Sequence, residues 1–486
     1  MEINENRLIS KDICIVLLVV LSCALFINYY KPLQMDELST YFHCSEKTIT
    51  ELNHANNSGV NMLPPFYFLL NWAADSIIEL NIFVLRLIPL LFGLLSILII
   101  KDILFTFFNR EAALFTIIST ISHCPIFLFS ICEARPYTLY FLLTLLLLKY
   151  TIDMKTDYIS KRIILLNFLI PSTFYFGGIY CVFIWAFYSM YNFKNKKSFR
   201  KYTISCFLGW FLFLIISFPT FIEQTQNTYT LTFKSNNFLS ISSLFNYYGM
   251  HVYFNISLFS ILLLNLGDKD NQIRDIKKLF IFIPFFFIPT FIFIISKGLS
   301  YNLFQERYFI PSTIYMFVLY GIIIHFFHLY RCKRYIFHFH YIYCFALFSY
   351  LTFSYSKSYN LENPEHSLKS ISEYPYPVIT QSRRIAFLIN QQKRRQAFQL
   401  VTDQKYAEHM IGFSKKLNPI PLSNFISFTK DKLNSMKKVI YISTPWVNED
   451  IDQVKHLFIE NKIKFNEIPC QKSPQVSSIY LLSTKT

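Results

Sequence analysis

The segment "ICEARPYTLYF", residues 131–141, separates two long apolar runs and carries two opposite charges. Glu133 and Arg135 lie where one run ends, and Pro136 lies where the next run begins, a position at which a helix tolerates proline. Charged side chains are costly inside hydrocarbon but are readily solvated at its boundary with water. The segment therefore predicts a turn at a membrane surface between two spanning helices.

The composition of the whole chain indicates a membrane protein. Of the 486 residues, 53% are hydrophobic and 19% are aromatic, which is more apolar surface than a soluble domain can bury. A spanning helix needs about 20 mostly apolar residues. Eleven candidate spans occur in the sequence, at 12–30, 85–105, 112–131, 135–150, 163–179, 180–193, 202–221, 251–266, 279–296, 308–328 and 335–355.

The basic residues between these runs predict the orientation of the chain. The net charge is +16, and lysine and arginine are enriched in the cytoplasmic loops of membrane proteins. With a cytoplasmic N-terminus, every strong basic cluster lies inside the cell, namely 109–111, 155–162, 194–201, 268–278 and 331–334. We therefore expect a multi-pass protein of the cell inner membrane. No basic stripe interleaved with aromatic residues appears in a soluble segment, which argues against nucleic-acid binding.

One further apolar stretch, residues 63–80, tests this topology. Counting it as a span would move the later basic clusters to the outer side of the membrane. It begins with Pro64 and Pro65 and contains Asp75 and Glu79. We therefore expect an interfacial helix on the outer surface, with an ordinary short span as the alternative.

The sequence changes character after about residue 355. Apolar runs shorten to strand length, and glutamine, lysine and serine become more frequent. We predict an all-α membrane domain over 1–355 and a small extracytoplasmic α/β domain over 356–486, without a glycine-rich phosphate loop. Within the second domain, strands are expected at 395–403, 437–445 and 477–484, and an amphipathic helix is expected at 448–462.

A second acidic segment, "LQMDELSTYFH" at residues 33–43, directly follows the first apolar run. In the predicted topology its carboxylates share the outer membrane surface with charged residues from later helix ends. The residues placed together in this way are Asp36, Glu37, His43, His54, Arg86, Glu133, Arg135, Glu306 and Arg307. Each of them alone is explained by a helix-end anchor or a solvated loop, but their convergence predicts a functional site.

Several of these segments, in order, resemble a known family. They are "DE" at 36–37, "PPFYFLLNW" at 64–72, "VLRLIPLLFGLLSILI" at 84–99 and "NREAALFTIISTISHCPIFLFSICEARPYTLYFLL" at 109–143, followed by "ERYFIP" at 306–311. About a third of the chain resembles the GT-C glycosyltransferases that use polyprenyl-phosphate sugars, and most of all the bacterial branch related to protein mannosyltransferases and aminoarabinose transferases.

The resemblance implies a GT-C fold, a lipid-linked monophosphate sugar donor and an active site that faces the periplasm or lumen. It also implies an essential acidic residue in the first loop and a soluble domain after the last span. The acceptor is left open among glycans, lipids and proteins.

The chemistry of such a transfer assigns a role to each candidate residue. The acceptor hydroxyl must lose a proton, so Asp36 is the expected general base, with Glu37 orienting it or holding a cation. Arginines stabilise a leaving phosphate through forked hydrogen bonds, and Arg135, Arg307 and then Arg86 are the candidates.

The remaining candidates concern the acceptor and a metal. Glu133 is expected to be a second acidic ligand, either for a divalent metal together with Asp36 or for the acceptor. Oxygen ligands would favour Mg²⁺, Mn²⁺ or Ca²⁺ over zinc as the divalent cation. The other candidates for contact with the acceptor or a metal are His54, Tyr137 and Glu306.

Two other functions stay open at the level of the sequence. A lipid or sugar transporter or flippase would place ionisable residues near the middle of the bilayer, in broken helices. A scaffold without catalytic activity would tolerate the loss of Asp36. The position of the charges at one membrane face favours the transferase.

Overall fold

The computed structural model describes most of the N-terminal part of the chain and parts of the C-terminal region. The described residues are 11–31, 34–57, 63–78, 81–153, 159–192, 195–227, 279, 281–298, 306–326, 342–354, 376–380, 397–401, 419–421, 425–436, 438–443, 455, 458–468 and 478–484. The span predicted at 251–266 lies outside them.

The described residues of the N-terminal part are mainly helical. Its helices are α1 (Lys11–Tyr30), α2 (Met35–Cys44), α3 (Ile49–Asn57), α4 (Phe66–Asp75), α5 (Ile82–Phe107), α6 (Arg110–His123), α7 (Pro125–Ile131), α8 (Tyr137–Asp153), α9 (Lys161–Thr173), α10 (Gly177–Asn192), α11 (Lys196–Ile216), α12 (Phe218–Asn227), α13 (Ile283–Gly298), a 3-10 segment (Glu306–Thr313), α14 (Ile314–Phe326) and α15 (Ile342–Ser354).

Several of these helices suit a bilayer. Three are long and apolar enough to cross a membrane, namely Asp12–Tyr30, Ile82–Phe107 and Lys196–Ile216, and shorter apolar helices lie at Gly177–Met190, Ile283–Ser296 and Ile342–Ser354. Their outward surfaces are apolar, as shown by the exposed Phe207, Phe211 and Ile215 on α11. Large exposed apolar side chains of this kind are stable against lipid rather than water.

Four of the predicted spans contain a break among the described residues. The run at 163–179 is divided between α9 and α10, and the run at 202–221 is divided between α11 and α12. The run at 112–131 is interrupted at Cys124, where α6 ends and Pro125 opens α7. Proline restricts the preceding residue to extended conformations, and Cys124 accordingly has φ −111° and ψ 81°. The run at 308–328 begins as the 3-10 segment, which contains Pro311 and a non-helical Phe309.

The stretch predicted to lie on the membrane surface forms the short helix α4. It has 10 residues, which corresponds to about 15 Å of helix. A bilayer core of about 30 Å is twice that length. Helix α4 is therefore too short to span a membrane on its own, as expected of residues 63–80.

Helices α5 and α8 lie at the centre of the helical part. Helix α5 packs against α1, α6, α7 and α8, and α8 packs against α5, α9, α10 and the 3-10 segment. The side chain of Asn81 accepts a hydrogen bond from the Val84 backbone and fixes the start of α5. This arrangement brings the start of α5, the start of α8 and the 3-10 segment together.

The C-terminal region contains a six-stranded mixed sheet. Its strands are β1 (Val378–Thr380), β2 (Ala397–Val401), β3 (Pro419–Pro421), β4 (Lys438–Ser443), β5 (Ile463–Ile468) and β6 (Ser478–Thr484), in the order β3-β2-β1-β4-β6-β5. Strands β1 to β4 pair in parallel, and β6 pairs antiparallel with β4 and β5. Helix α16 (Phe425–Met436) packs on β4 and β6.

The sheet confirms the predicted α/β class of this region. The strands expected at 395–403, 437–445 and 477–484 correspond to β2, β4 and β6. Strands β1, β3 and β5 and helix α16 were not predicted. Most of the helix expected at 448–462 lies outside the described residues, and the boundary at residue 355 stays a prediction.

Candidate active site

The first carboxylate of the site, Glu37, is fully buried at the start of α2. Its side-chain exposure is 0%. It accepts hydrogen bonds from the backbone of Gln34 at 3.1 Å and from the backbone of Ala134 at 3.2 Å. The bond to Gln34 closes a capping box, in which the third residue of the helix satisfies a backbone donor at its N-terminus.

Two buried cations compensate the Glu37 charge. Arg86, in the first turns of α5, donates from Nε at 2.9 Å and from Nη2 at 2.6 Å. Lys31, directly after α1, lies 3.4 Å from Glu37 Oε1 and donates to the carbonyl oxygen of Cys132 at 2.9 Å. Arg86 also donates from Nη1 to the carbonyl oxygens of Asn28 and Lys31. We call Lys31, Glu37 and Arg86 the Glu37 lock, because together they tie α1, α2, α5 and the 131–136 turn.

The Glu37 lock determines the charge state of its carboxylate. Burial alone would raise the pKa of Glu37, but Lys31, Arg86 and the hydrogen bond from Gln34 outweigh it and lower the pKa to about 2. Glu37 is therefore ionised at neutral pH. A single cation would leave this buried charge poorly compensated.

The second carboxylate, Asp36, points to a different group of residues. Arg307, in the 3-10 segment, donates from Nη2 to Asp36 Oδ2 at 2.7 Å and from Nη1 to Glu133 Oε1 at 3.0 Å. The side chains of Asp36 and Arg307 are 40% and 33% exposed, whereas that of Glu133 is 7% exposed. The guanidinium therefore bridges one accessible and one buried carboxylate.

Arg135 completes the charged group. It is buried, and its Nη1 donates to the backbone carbonyl oxygen of Asp36 at 3.2 Å. Burial alone would raise the pKa of Asp36, but Arg135 and Arg307 outweigh it and hold the pKa below its usual range. Asp36 is therefore an accessible carboxylate that is ionised at neutral pH, with two cations beside it.

Aromatic rings line the site next to Arg307. The Arg307 guanidinium lies 5.5 Å from the centre of the Tyr137 ring, at the start of α8. The Tyr137 ring contacts Tyr308 with ring centroids 6.0 Å apart, and Tyr308 stacks on Phe176 at 5.9 Å. Phe174 fills the space behind these rings and contacts all three of them. We call Tyr137, Phe176 and Tyr308 the aromatic wall.

Two solved structures are similar to this chain over nearly its full length. The crystal structure of ArnT from Cupriavidus metallidurans bound to undecaprenyl phosphate matches with a TM-score of 0.60 and 11% sequence identity, and the match covers 96% of this chain and 97% of that one. The chain has the ArnT fold. The apo crystal structure of ArnT matches with a TM-score of 0.61 and 10% identity over the same shares of the two chains.

The ArnT fold confirms the GT-C architecture that the sequence resemblance implied. Together with the apolar helices, it indicates an integral membrane protein. No family model and no curated protein matches the sequence. The likeness to ArnT is therefore one of fold.

Within this ArnT fold, most of the sequence-predicted site residues come together. Asp36, Glu133, Arg135, Arg307 and Tyr137 form one group, in which Asp36 and Arg307 are partly exposed and the other three are buried. Glu37 and Arg86 face each other in the buried Glu37 lock, where described hydrogen bonds already engage Arg86. The catalytic and phosphate-binding roles predicted for these residues stay predictions.

Two predicted candidates, His43 and His54, lie apart from this group. His54 is exposed on α3 and makes no hydrogen bond or ion pair with the other described residues. His43 is buried in α2, where its Nδ1 lies 2.7 Å from the Ser39 carbonyl oxygen and its ring stacks on Phe68 at 4.7 Å. Glu306 begins the 3-10 segment, and its side chain lies outside the described part of the chain.

Lys31 and the aromatic wall residues Phe176 and Tyr308 were not singled out from the sequence. A lysine directly after an apolar run has the pattern of an ordinary interfacial anchor, and nothing local distinguishes Lys31 from one. Tyr308 adjoins Arg307 in the "ERYFIP" segment, which was the available signal. Phe176 lies 132 residues before Tyr308 in the sequence and joins it only through the packing of α9 and α10.

The arrangement does not form a recognisable metal centre among the described residues, where no group of three or more His, Cys, Asp or Glu side chains could hold an ion. The two carboxylates that were expected to bind a cation together, Asp36 and Glu133, instead share Arg307. The guanidinium provides the positive charge that a bridging metal would supply. These donors therefore fit a divalent cation poorly, and no step below is derived through one.

Proposed function

We propose that this protein is an integral-membrane glycosyltransferase that moves a sugar from a polyprenyl-phosphate donor to a hydroxyl group of an envelope acceptor. The observation that carries this proposal is the ion pair of Asp36 with Arg307, because it places a candidate base and a candidate phosphate ligand side by side in a half-exposed site. The ArnT fold supports it, since ArnT has been crystallised with undecaprenyl phosphate.

The charge around Arg307 is balanced before a ligand binds. Arg135 and Arg307 are the cations of this group, and Asp36 and Glu133 are its anions. The buried Glu37 lock, in which Lys31 and Arg86 face Glu37, carries a separate net charge of +1. A phosphodiester between a polyprenol and a sugar carries one negative charge, which Arg307 can bind when the donor replaces Asp36 on its guanidinium. Arginine, with its planar fork of donors, is suited to binding such a phosphate.

The proposed reaction is a single displacement at the anomeric carbon. The acceptor oxygen forms a bond to that carbon while the bond from the carbon to the phosphate oxygen breaks. The acceptor proton passes to the Asp36 carboxylate, and the bonding electron pair leaves with polyprenyl phosphate. The configuration at the anomeric carbon inverts, because one attack from the opposite face replaces the leaving group.

Arg307 has two partners in this proposal. Without donor, it holds Asp36 ionised but lowers its basicity. The donor phosphate competes with Asp36 for the guanidinium, and the buried Glu133 keeps Arg307 in place during the exchange. The developing charge on the leaving phosphate is then stabilised by Arg307 and Arg135, which are already oriented before the reaction.

The other predicted residues have supporting roles. Glu37 positions Asp36, its neighbour in the chain, through the Glu37 lock, and Arg86 belongs to that lock rather than to the phosphate site. A divalent cation stays an untested prediction, for which chelation during an activity assay is the test.

The charged groups lie near helix termini rather than halfway along the helices. They are found after the end of α1, near the starts of α2, α5 and the 3-10 segment, and between the end of α7 and the start of α8. This position favours a transferase over a transporter, whose sites lie near the bilayer midplane. We place the site on the periplasmic side of the membrane, with the N-terminus in the cytoplasm and the C-terminal α/β domain outside.

The test is transfer of radiolabelled sugar by the purified protein. A panel of polyprenyl-phosphate sugars is incubated with membrane extract, and wild type is compared with Asp36→Asn and with Asp75→Asn, which makes the same charge change on α4, outside the site. We expect incorporation with at least one donor, its retention in Asp75→Asn, and a fall of about 100-fold or more in Asp36→Asn. Incorporation that survives the loss of the Asp36 carboxylate would remove it as the base, and no incorporation from any donor would count against the transferase.

A further inference from the structure

Two rings of the aromatic wall, Phe176 and Tyr308, differ from the aromatic packing around them in their access to solvent. Phe174 and Tyr140 are buried, at 3% and 0% exposure. Phe176 and Tyr308 are both partly exposed, and their rings stack with an interplanar angle of 28°. Two partly exposed rings therefore lie in the part of the fold that holds Arg307, and both contact the buried ring of Phe174.

The second feature of this region is the buried hydroxyl group of Tyr137. The Tyr137 side chain has 0% exposure, and its hydroxyl has no hydrogen-bond partner among the described residues. Its ring lies under Arg307 and beside Tyr308. A buried hydroxyl without a hydrogen-bond partner is unfavourable, so a ligand oxygen that accepts this hydrogen bond would remove the penalty.

Taken together, these observations combine flat apolar faces with polar groups. Tyr308 interacts electrostatically with Arg307, Arg135, Asp36 and Glu133. A sugar ring suits such a surface, because one of its faces is apolar and its edges carry hydroxyl groups. An isoprene chain offers no polar group, and placing it there would desolvate the charges without compensation.

We propose that the aromatic wall is the subsite for the sugar ring of the donor, with the ring stacked on Tyr308 and Phe176 and a donor oxygen accepting a hydrogen bond from the Tyr137 hydroxyl. This inference rests on the proposed function, because a phosphate on Arg307 is what brings the attached sugar to Tyr308, the next residue in the chain. The other substituent of the phosphate, the isoprene chain, then leaves the site in a different direction.

The test compares donors with and without a sugar. Dissociation constants of the full-length protein in detergent are measured for undecaprenyl phosphate and for a panel of undecaprenyl-phosphoryl hexoses and pentoses. The variants are Tyr308→Leu, which keeps an apolar side chain but removes the flat ring, and Tyr308→Phe, which keeps the ring. Tyr150→Leu is the matched control. Tyr150 lies at the other end of α8 and is also partly exposed, and the centre of its ring lies 5.2 Å from the guanidinium of Arg162.

We expect at least one sugar-bearing lipid to bind wild type more tightly than undecaprenyl phosphate does. In Tyr308→Leu the affinity for that lipid should fall about tenfold, the strength of one good aromatic contact, while the affinity for undecaprenyl phosphate stays unchanged. Tyr308→Phe and Tyr150→Leu should bind both lipids as wild type does.

Three results would overturn the sugar subsite. The first is that no sugar strengthens binding to wild type. The second is that Tyr308→Leu weakens both lipids equally, which would assign the ring to the isoprene chain or to folding. The third is that Tyr308→Leu weakens neither. If wild type binds neither undecaprenyl phosphate nor any of the sugar-bearing lipids, the proposed function itself fails, and this result is distinct from the other three.

Discussion

At the scale of single residues, Arg307 connects the Asp36 and Glu133 carboxylates of the site. It lies 271 positions after Asp36 in the chain, and it holds that carboxylate at 2.7 Å and Glu133 at 3.0 Å. A carboxylate beside a guanidinium is ionised, which a base requires, but it is also a weaker base. Under the proposed function, binding of the donor phosphate to Arg307 would relieve this weakness, and the residue would couple donor binding to the activation of Asp36.

This coupling predicts a specific dependence of kcat/KM on pH. Because the pKa of Asp36 lies below its usual range, the active carboxylate form persists as the pH falls, and kcat/KM should decrease only below about pH 4. In Arg307→Met one of the two cations is lost, so the pKa of Asp36 rises and the acid limb moves to higher pH. The shift of the acid limb is checked by measuring kcat/KM of both proteins between about pH 3.5 and 8, a range that includes the carboxyl titration. An acid limb at the same pH in both proteins would contradict it.

The Tyr137 hydroxyl gives a second prediction at this scale. Tyr137→Phe removes a buried hydroxyl that has no partner among the described residues but keeps the ring under Arg307. We expect the free energy of unfolding to rise by about 1 kcal/mol and the affinity for the sugar-bearing donor to fall. Unfolding in detergent and donor titration measure the two effects. A less stable variant with unchanged donor affinity would show that the hydroxyl serves the fold.

At the scale of elements, the start of α2 is held by the Glu37 lock. The capping box and the two cations fix the first turn of the helix, and Asp36 lies in that turn. The sequence predicted that the acidic pair, Arg86 and the "EARPY" corner share one membrane face, because the basic loops determine which helix ends lie together. It did not predict that Arg86 pairs with Glu37, since partners 49 residues apart are determined by tertiary packing.

The Glu37 lock predicts non-additive stability changes. Arg86→Met leaves the buried Glu37 charge with Lys31 alone and should cost about 3–5 kcal/mol. Arg86→Met combined with Glu37→Gln should cost clearly less than the sum of the two single changes, because the stranded charge is gone. Unfolding of the three variants and of wild type in detergent gives the coupling free energy. Additive losses would contradict a buried ion pair.

The same lock predicts how stability depends on pH. The folded pKa of Glu37, about 2, lies below its ordinary value of 4.5. The ionised form is therefore favoured by folding, so its contribution to stability is complete above pH 4.5 and is lost as the pH falls from 4.5 toward 2. Glu37→Gln should remove this loss, whereas Glu111→Gln, at an exposed position on α6, should not. Thermal unfolding across this pH range is the measurement.

At the scale of the whole molecule, the apolar runs and the family resemblance predicted the architecture. Long apolar runs predicted the helices, and the resemblance around residues 30–150 predicted the GT-C fold that the likeness to ArnT confirms. The breaks were less visible: the run at 112–131 was predicted as continuous although Pro125 lies within it. In the C-terminal region the three-residue strands β1 and β3 are too short to show an alternating pattern.

The predicted orientation can be tested through exposed positions. A cysteine replacing Glu51, on α3, should react with a membrane-impermeant maleimide added from the periplasmic side of intact cells. A cysteine replacing Lys197, in the first turn of α11, should react only after the membrane is permeabilised. Both are made in a chain that lacks Cys14, the one cysteine classed as exposed among the described residues, and also Cys332 and Cys470, which lie outside them. Reaction of both from one side would contradict the topology.

The most direct test of the account is the binding of undecaprenyl phosphate to the purified protein, measured for wild type, Arg307→Met and Arg162→Met. Arg162 is the matched control, because it also lies over a tyrosine ring, that of Tyr150. This ring is at the other end of α8, about 20 Å from Tyr137. The account predicts that Arg307→Met binds about tenfold or more weakly and that Arg162→Met binds as wild type does. Equal affinity in all three proteins would contradict a phosphate site at Arg307.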